Sequence, residues 1–185
     1  MPPVIFVPAM RTGYRLQLLL SRSEIAEAVR RLAVEIRKDY RDKNPVLVGV
    51  LRGGFVFLAD LVRELDIPLS VDFAGVESYR GTESTGRVRV THGVGLPIRG
   101  KDVLVVEDIV DTGRTTSHLL KYLRSKGPAS LKLCALLDKP SRREVEVHID
   151  YLGFTVPDRF LVGYGLDIDQ GHRHHPVIYV LDEGG

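Results

Sequence analysis

Two hydrophobic periods alternate along the chain. Residues 21–40, SRSEIAEAVRRLAVEIRKDY, carry Ile25, Val29, Leu32 and Ile36 at helical spacing, one apolar stripe on an otherwise polar segment. Ser21 with Glu24 three positions on forms a capping-box pattern and marks the helix start. PVLVGVL (45–51) is a continuous apolar run, as in a strand buried on both faces. RGG interrupts it, and FVFLADLVREL (55–65) returns to the helical period. LSVDFAGVESY (69–79) predicts a second strand leading into RGTESTG (80–86), a polar, glycine-bracketed segment expected to be a mobile loop. RVRVTH (87–92) alternates and predicts a half-exposed strand. DVLVVED (102–108) and SLKLCALLDK (130–139) read as buried strands. Between them TTSHLLKYLRSKG (115–127) predicts a helix that ends at Gly127.

Buried strands alternating with helices predict an α/β fold: a mostly parallel twisted sheet flanked by helices, with right-handed crossovers. After Asp150 the texture changes. Residues 151–181 show short strands and turns and no helical period. The chain therefore reads as a single domain with a core over about 21–150 and a small hood lobe from about 1–20 plus 151–185. In parallel sheets ligands sit beyond the carboxyl ends of the strands. Here those ends carry RGG after Leu51, EDIVDTGRTT after Val106 and DKP after Leu137, so three polar stretches converge on one rim.

The middle stretch sets an electrostatic puzzle. DTGRTT (111–116) is a glycine-containing turn that opens a helix. Successive backbone N–H groups there form an anion nest, strengthened by the helix dipole. Thr112, Thr115 and Thr116 add hydroxyl donors, and Gly113 lets the backbone approach closely; the plainer alternative is a helix N-cap made by Asp111 or Thr112. Glu107, Asp108 and Asp111 crowd negative charge just ahead of this turn and repel a phosphate. The first two suit something attached to the phosphate instead: adjacent sugar hydroxyls, or a divalent metal. A phosphate in the turn with a ribose lying across the acids resolves the conflict.

Composition narrows the classes. A net charge of +2, with 26 basic against 24 acidic residues, argues against a broad nucleic-acid-binding face. The 44% hydrophobic content is that of a globule with a real core, and no apolar run approaches the roughly 20 residues a membrane helix needs. MPPVIFVPAMR at the start is a poor match to a signal peptide, so the cytoplasm is expected. Cys134 is the single cysteine, so no intrachain disulfide forms, and its apolar neighbours predict a buried thiol in a reducing compartment.

VVEDIVDTGRTT (105–116) resembles the phosphoribosyl-pyrophosphate (PRPP) motif of the type I phosphoribosyltransferases. LRGGFVFLADL, SYRGTESTGRV, LLDKP and VPDRFLVGYGLDIDQGHR follow that family's order. From about Leu47 to Arg173 the chain is similar to the hypoxanthine-guanine phosphoribosyltransferases. The resemblance implies the type I fold with a hood. It also implies transfer of phosphoribosyl from PRPP to hypoxanthine or guanine, with Mg²⁺, in a homodimer or homotetramer. Asp111 would be the general base at purine N7. Asp111, Thr112, Gly113, Arg114, Thr115 and Thr116 would hold the 5-phosphate, and Glu107 and Asp108 the ribose. Arg52, Gly53, Ser78, Tyr79 and Arg173 would bind pyrophosphate. Lys139, Phe160, Leu161 and Asp167 would bind the purine, with Lys139 donating to O6. Asp167, with Glu107 and Asp108, would serve the metal. A non-proline cis peptide is implied between Arg52 and Gly53.

The chain departs from the family pattern in places. Arg52 stands where some relatives carry lysine, Ile168 where many carry tyrosine, and His172 where an aromatic is common, which leaves the balance between guanine and hypoxanthine open. Xanthine or another base is the nearest alternative substrate. An RNA-binding regulator of pyrimidine genes is the alternative from another class, opposed by the near-neutral charge and by Asp111, Lys139 and Phe160. His172, His174 and His175 are dense enough to raise a transition-metal site, but no carboxylate or cysteine at suitable spacing completes one.

Overall fold

The computed structural model describes residues 14–78 and 88–183. Tyr79 and the loop expected over 80–86 lie outside the described residues, as do the first thirteen. Strands β2 (Val46–Leu51), β3 (Ser70–Ser78), β4 (Val88–His92), β5 (Asp102–Val110), β6 (Ser130–Asp138) and β7 (Tyr151–Thr155) form one sheet in the order β4-β3-β2-β5-β6-β7. Every pairing is parallel except β3 with β4, an edge strand in which Arg89, Thr91 and His92 are exposed and Val90 is half-buried, where the alternation in RVRVTH predicts a half-exposed strand.

Helices α1 (Arg22–Tyr40) and α2 (Phe55–Leu65) cover one face and α3 (Arg114–Ser125) the other. Ser21 and Glu24 close the capping box at the start of α1, the Glu24 carboxylate accepting from Ser21 N–H at 2.8 Å. Gly127, at φ 74°, follows the end of α3. The apolar runs of β2 and β5 split by period 2 between the two faces. Leu47, Leu104 and Val106 join α1 and α2, whereas Val48, Val103 and Val105 join Leu119 and Leu123 of α3. Full burial of a side chain such as Leu61 or Leu104 contributes about 2 kcal/mol.

The hood is a three-stranded antiparallel sheet in the order β1-β9-β8, built from β1 (Tyr14–Leu20), β8 (Leu161–Val162) and β9 (Ile178–Glu183). Leu161, Tyr164, Leu166 and Ile178 belong to the same apolar cluster as α1 and α2, so this lobe is packed onto the core. Residues 151–155, grouped with the hood by sequence texture, instead pair parallel with β6 and complete the main sheet. Five residues of apolar and small side chains lack the period that distinguishes an edge strand of the core from a hood strand. Among the described residues no helix is long and apolar enough to cross a membrane.

Candidate functional site

Because β2, β5 and β6 run parallel, the loops that follow them emerge on one rim. The 111–116 turn is fixed from both sides. Lys139 N–H donates to Val110 O at 3.0 Å, and Glu144 and Val145 N–H both donate to Thr112 O, at 2.9 and 3.0 Å. Gly113 sits at φ 81°, and a Cβ there would overlap the Val145 carbonyl oxygen. The first amides of α3 have no partner within the helix, and the Arg114 N–H makes only a long 3.4 Å contact to Thr112 Oγ1, which an anion can replace. The exposed Arg114 side chain pairs with Glu144. Gly113→Ala combines the left-handed φ with a backbone clash and is expected to cost about 2 kcal/mol or more of stability. Thermal unfolding checks the cost, and phosphate titration by calorimetry is expected to show weakened binding.

Glu107 and Asp108 are both buried at the end of β5. Burial, and then the Asp108 charge, pushes the Glu107 carboxyl well above its ordinary range. Burial raises Asp108 as well, with the Arg173 guanidinium among the opposing influences. Two adjacent buried acids resist ionising together and favour a shared proton. The raised values fix the sign of a stability effect. The folded state holds protons that the unfolded chain has released, so above the unfolded carboxylate range stability falls as pH rises. Glu107→Gln is therefore expected to raise the melting temperature by a few degrees at pH 8, about 1 kcal/mol, and to change it little at pH 4. Melting curves at the two pH values test this, and an equal shift at both would contradict it.

Gly53 is pressed against this pair, and a Cβ there would overlap Asp108 Oδ2. A cis peptide is present, but between Leu51 and Arg52, one bond earlier than expected. Behind Gly53, Gly165 packs on the Gly53 carbonyl, which couples the RGG loop to the 163–175 segment. There Arg173 pairs with Asp167 at 2.7 Å and donates to Gly165 O at 2.6 Å, while Arg52 Nη1 donates to Gln170 Oε1 at 3.1 Å.

A cavity of about 520 Å³ opens beside the turn. It is lined by Asp111, Lys139, Phe160 and Leu161, four of the residues expected around a base, together with Arg142, Asp158 and Leu166. Phe160 is about half exposed, its ring free to stack, and the flanking Leu161 is buried. Lys139 is buried, and its Nζ donates to Arg159 O at 2.7 Å; burial lowers its pKa, against the opposing Asp111 charge. Asp167 does not line this cavity and stands with Arg173 instead.

Two further features were missed in the sequence. Arg142, in the short 3-10 turn Pro140–Arg142, lies 3.0 Å from Asp111 Oδ1 and 3.4 Å from Asp158 Oδ1 across the cavity mouth. Gln170 joins the two expected pyrophosphate arginines. Neither residue type carries a motif that marks it in the sequence. Among the described residues no group of three or more metal-ligating side chains forms, so Asp167, Glu107 and Asp108 do not make a preformed cage. His172 and His175 contact each other at 3.1 Å between ring nitrogens, and His175 packs edge-on to Tyr179.

Comparison with known proteins agrees with this geometry. Residues 19–169 match the phosphoribosyl transferase domain family. The chain is 45% identical over 168 residues to the hypoxanthine-guanine phosphoribosyltransferase of Streptococcus pneumoniae strain R6, covering 90% of this chain and 93% of that one. It is 44% identical over 176 residues to the hypoxanthine phosphoribosyltransferase of Salmonella typhimurium, covering 92% and 99%. Among solved structures, a hypoxanthine phosphoribosyltransferase of Staphylococcus aureus superimposes with a TM-score of 0.85 at 41% identity, over 90% of this chain and 91% of that one.

Proposed function

The chain belongs to the phosphoribosyl transferase domain family, and from that premise we propose that it transfers the phosphoribosyl group of PRPP to hypoxanthine or guanine in cytoplasmic purine salvage. IMP or GMP and pyrophosphate are the products, and a homodimer or homotetramer is the expected assembly. One observation carries the reading. A glycine turn that opens α3, a buried acid pair and a cavity with a buried lysine and a half-exposed aromatic ring meet at the carboxyl ends of the parallel strands.

In this reading the 5-phosphate sits on the amides of residues 113–116, and Glu107 and Asp108 face the ribose hydroxyls. The purine lies on Phe160 with O6 toward Lys139. A ring nitrogen of the base forms the bond to C1 as the bond from C1 to the pyrophosphate oxygen breaks. The proton on N7 passes to the Asp111 carboxylate, whose charge also stabilises the cationic sugar carbon as it develops. Arg52, the Gly53 amide and Arg173 receive the departing pyrophosphate, and Ser78 and Tyr79 belong to the same subsite. Mg²⁺ takes few protein ligands and many substrate oxygens. Asp167, with Glu107 and Asp108 nearby, would hold such an ion together with PRPP oxygens, and it would neutralise the leaving group.

The test is a panel of hypoxanthine, guanine, xanthine and adenine incubated with PRPP and Mg²⁺. Formation of IMP and GMP well ahead of the other nucleotides is the expected result. Preferential formation of XMP or AMP would move the assignment to another base.

A further inference from the structure

Arg52 and Arg173 reach the same atom. Arg52 Nη1 and Arg173 Nη2 each lie 3.1 Å from Gln170 Oε1, so one neutral carbonyl oxygen accepts from two guanidiniums. Two like charges gathered around one acceptor repel each other, and the arrangement needs an anchor to persist. The backbone provides it. Gln170 sits at φ 65° between Asp169 at 50° and His172 at 69°, left-handed conformations that are costly without glycine. A tight turn holds them: Gly171 N–H donates to Ile168 O at 2.8 Å, and Gln170 N–H donates to Asp167 Oδ2 at 2.9 Å. Asp167 in turn pairs with Arg173 at 2.7 Å.

We propose that Gln170 is a positioning residue of the pyrophosphate subsite, its amide oxygen holding the place of a phosphate oxygen and spacing Arg52 and Arg173 for a diphosphate. This rests on the transferase reading above. The neutrality of the side chain is part of the device. Two guanidiniums beside one carboxylate leave a net positive charge for the incoming diphosphate, which a glutamate at 170 would cancel. Arg52 is exposed and long, and without the bridge it loses its orientation; an unanchored side chain must be ordered when the ligand binds.

Gln170→Ala and Gln170→Glu test the proposal together. For Gln170→Ala, KM for PRPP, and KM for pyrophosphate in the reverse reaction from IMP, is expected to rise about 3-fold. For Gln170→Glu, which keeps the shape but removes the net charge, the rise is expected to be about 10-fold. KM for hypoxanthine and the melting temperature should stay near wild type in both, and calorimetric titration with pyrophosphate and Mg²⁺ should show the same order of weakening. Unchanged PRPP and pyrophosphate constants in both variants overturn the proposal. So does a parallel rise in KM for hypoxanthine, which would indicate a general structural role. If the wild-type protein forms no nucleotide from PRPP and any purine, the transferase reading fails and this inference with it. If it forms IMP normally while the variants are indifferent, the inference alone fails.

Discussion

Asp111→Ala is expected to lower kcat by about 10²- to 10⁴-fold while leaving PRPP affinity within a few-fold of wild type. The asymmetry follows from where the side chain sits. The donors of the 111–116 turn are backbone amides braced by Lys139, Glu144 and Val145, and none of those bonds passes through the Asp111 carboxylate. The side chain faces the cavity that also holds Lys139 and Phe160, where the proposed mechanism has it accept the proton of the base. Truncation therefore removes the acceptor and a negative charge near the sugar carbon, and spares the phosphate anchor. Loss of fold is not expected, because the side chain is about 42% exposed and its partner, Arg142, is exposed as well. Asp111→Asn, which keeps the shape and cannot take a proton, should fall with the alanine variant. Single-turnover rates with PRPP, beside a direct PRPP titration, check both halves, and near-normal turnover would remove the base assignment.

How much of this was legible beforehand depended on the physics behind each element. The helices and buried strands were written in local periodicity, and a capping box such as Ser21–Glu24 is local by nature. The 111–116 turn was legible because the anion nest needs its glycine and its helix start in adjacent positions. Tyr151–Thr155 was misgrouped because which sheet a short strand joins is decided by long-range pairing, here with Cys134 and its neighbours in β6. Gln170 and Arg142 were illegible for a related reason. A glutamine between two arginines more than a hundred residues apart in one case has no spacing signature, and it becomes visible only when β2 and the 163–175 segment are brought together. Lys139 was named from resemblance, and its burial is what distinguishes it from an ordinary surface lysine before a proline.

That burial makes Lys139 the residue on which the choice of base should turn. Its Nζ is tethered to Arg159 O at 2.7 Å, which fixes the direction of an ammonium that still has two donors to offer. A 6-oxopurine presents an acceptor and satisfies one of them. Adenine presents an amino group, and the pairing of donor with donor leaves both groups buried and unsatisfied, a loss of about 1–3 kcal/mol. The cavity offers no escape, because solvent reaches little of the lysine. Lys139→Gln keeps a side chain of similar length but supplies an amide that can turn either its NH₂ or its oxygen toward the base. The hypoxanthine-to-adenine ratio of kcat/KM is therefore expected to fall by about 10²-fold, mainly through loss on hypoxanthine. Lys139→Met, which offers neither group, should lose hypoxanthine activity to a similar degree without gaining the adenine-compatible acceptor. An unaltered ratio in the glutamine variant would show that selection among purines is made elsewhere. Attention would then shift to the backbone near Leu161 and to the side of the cavity that Arg142 closes with Asp158.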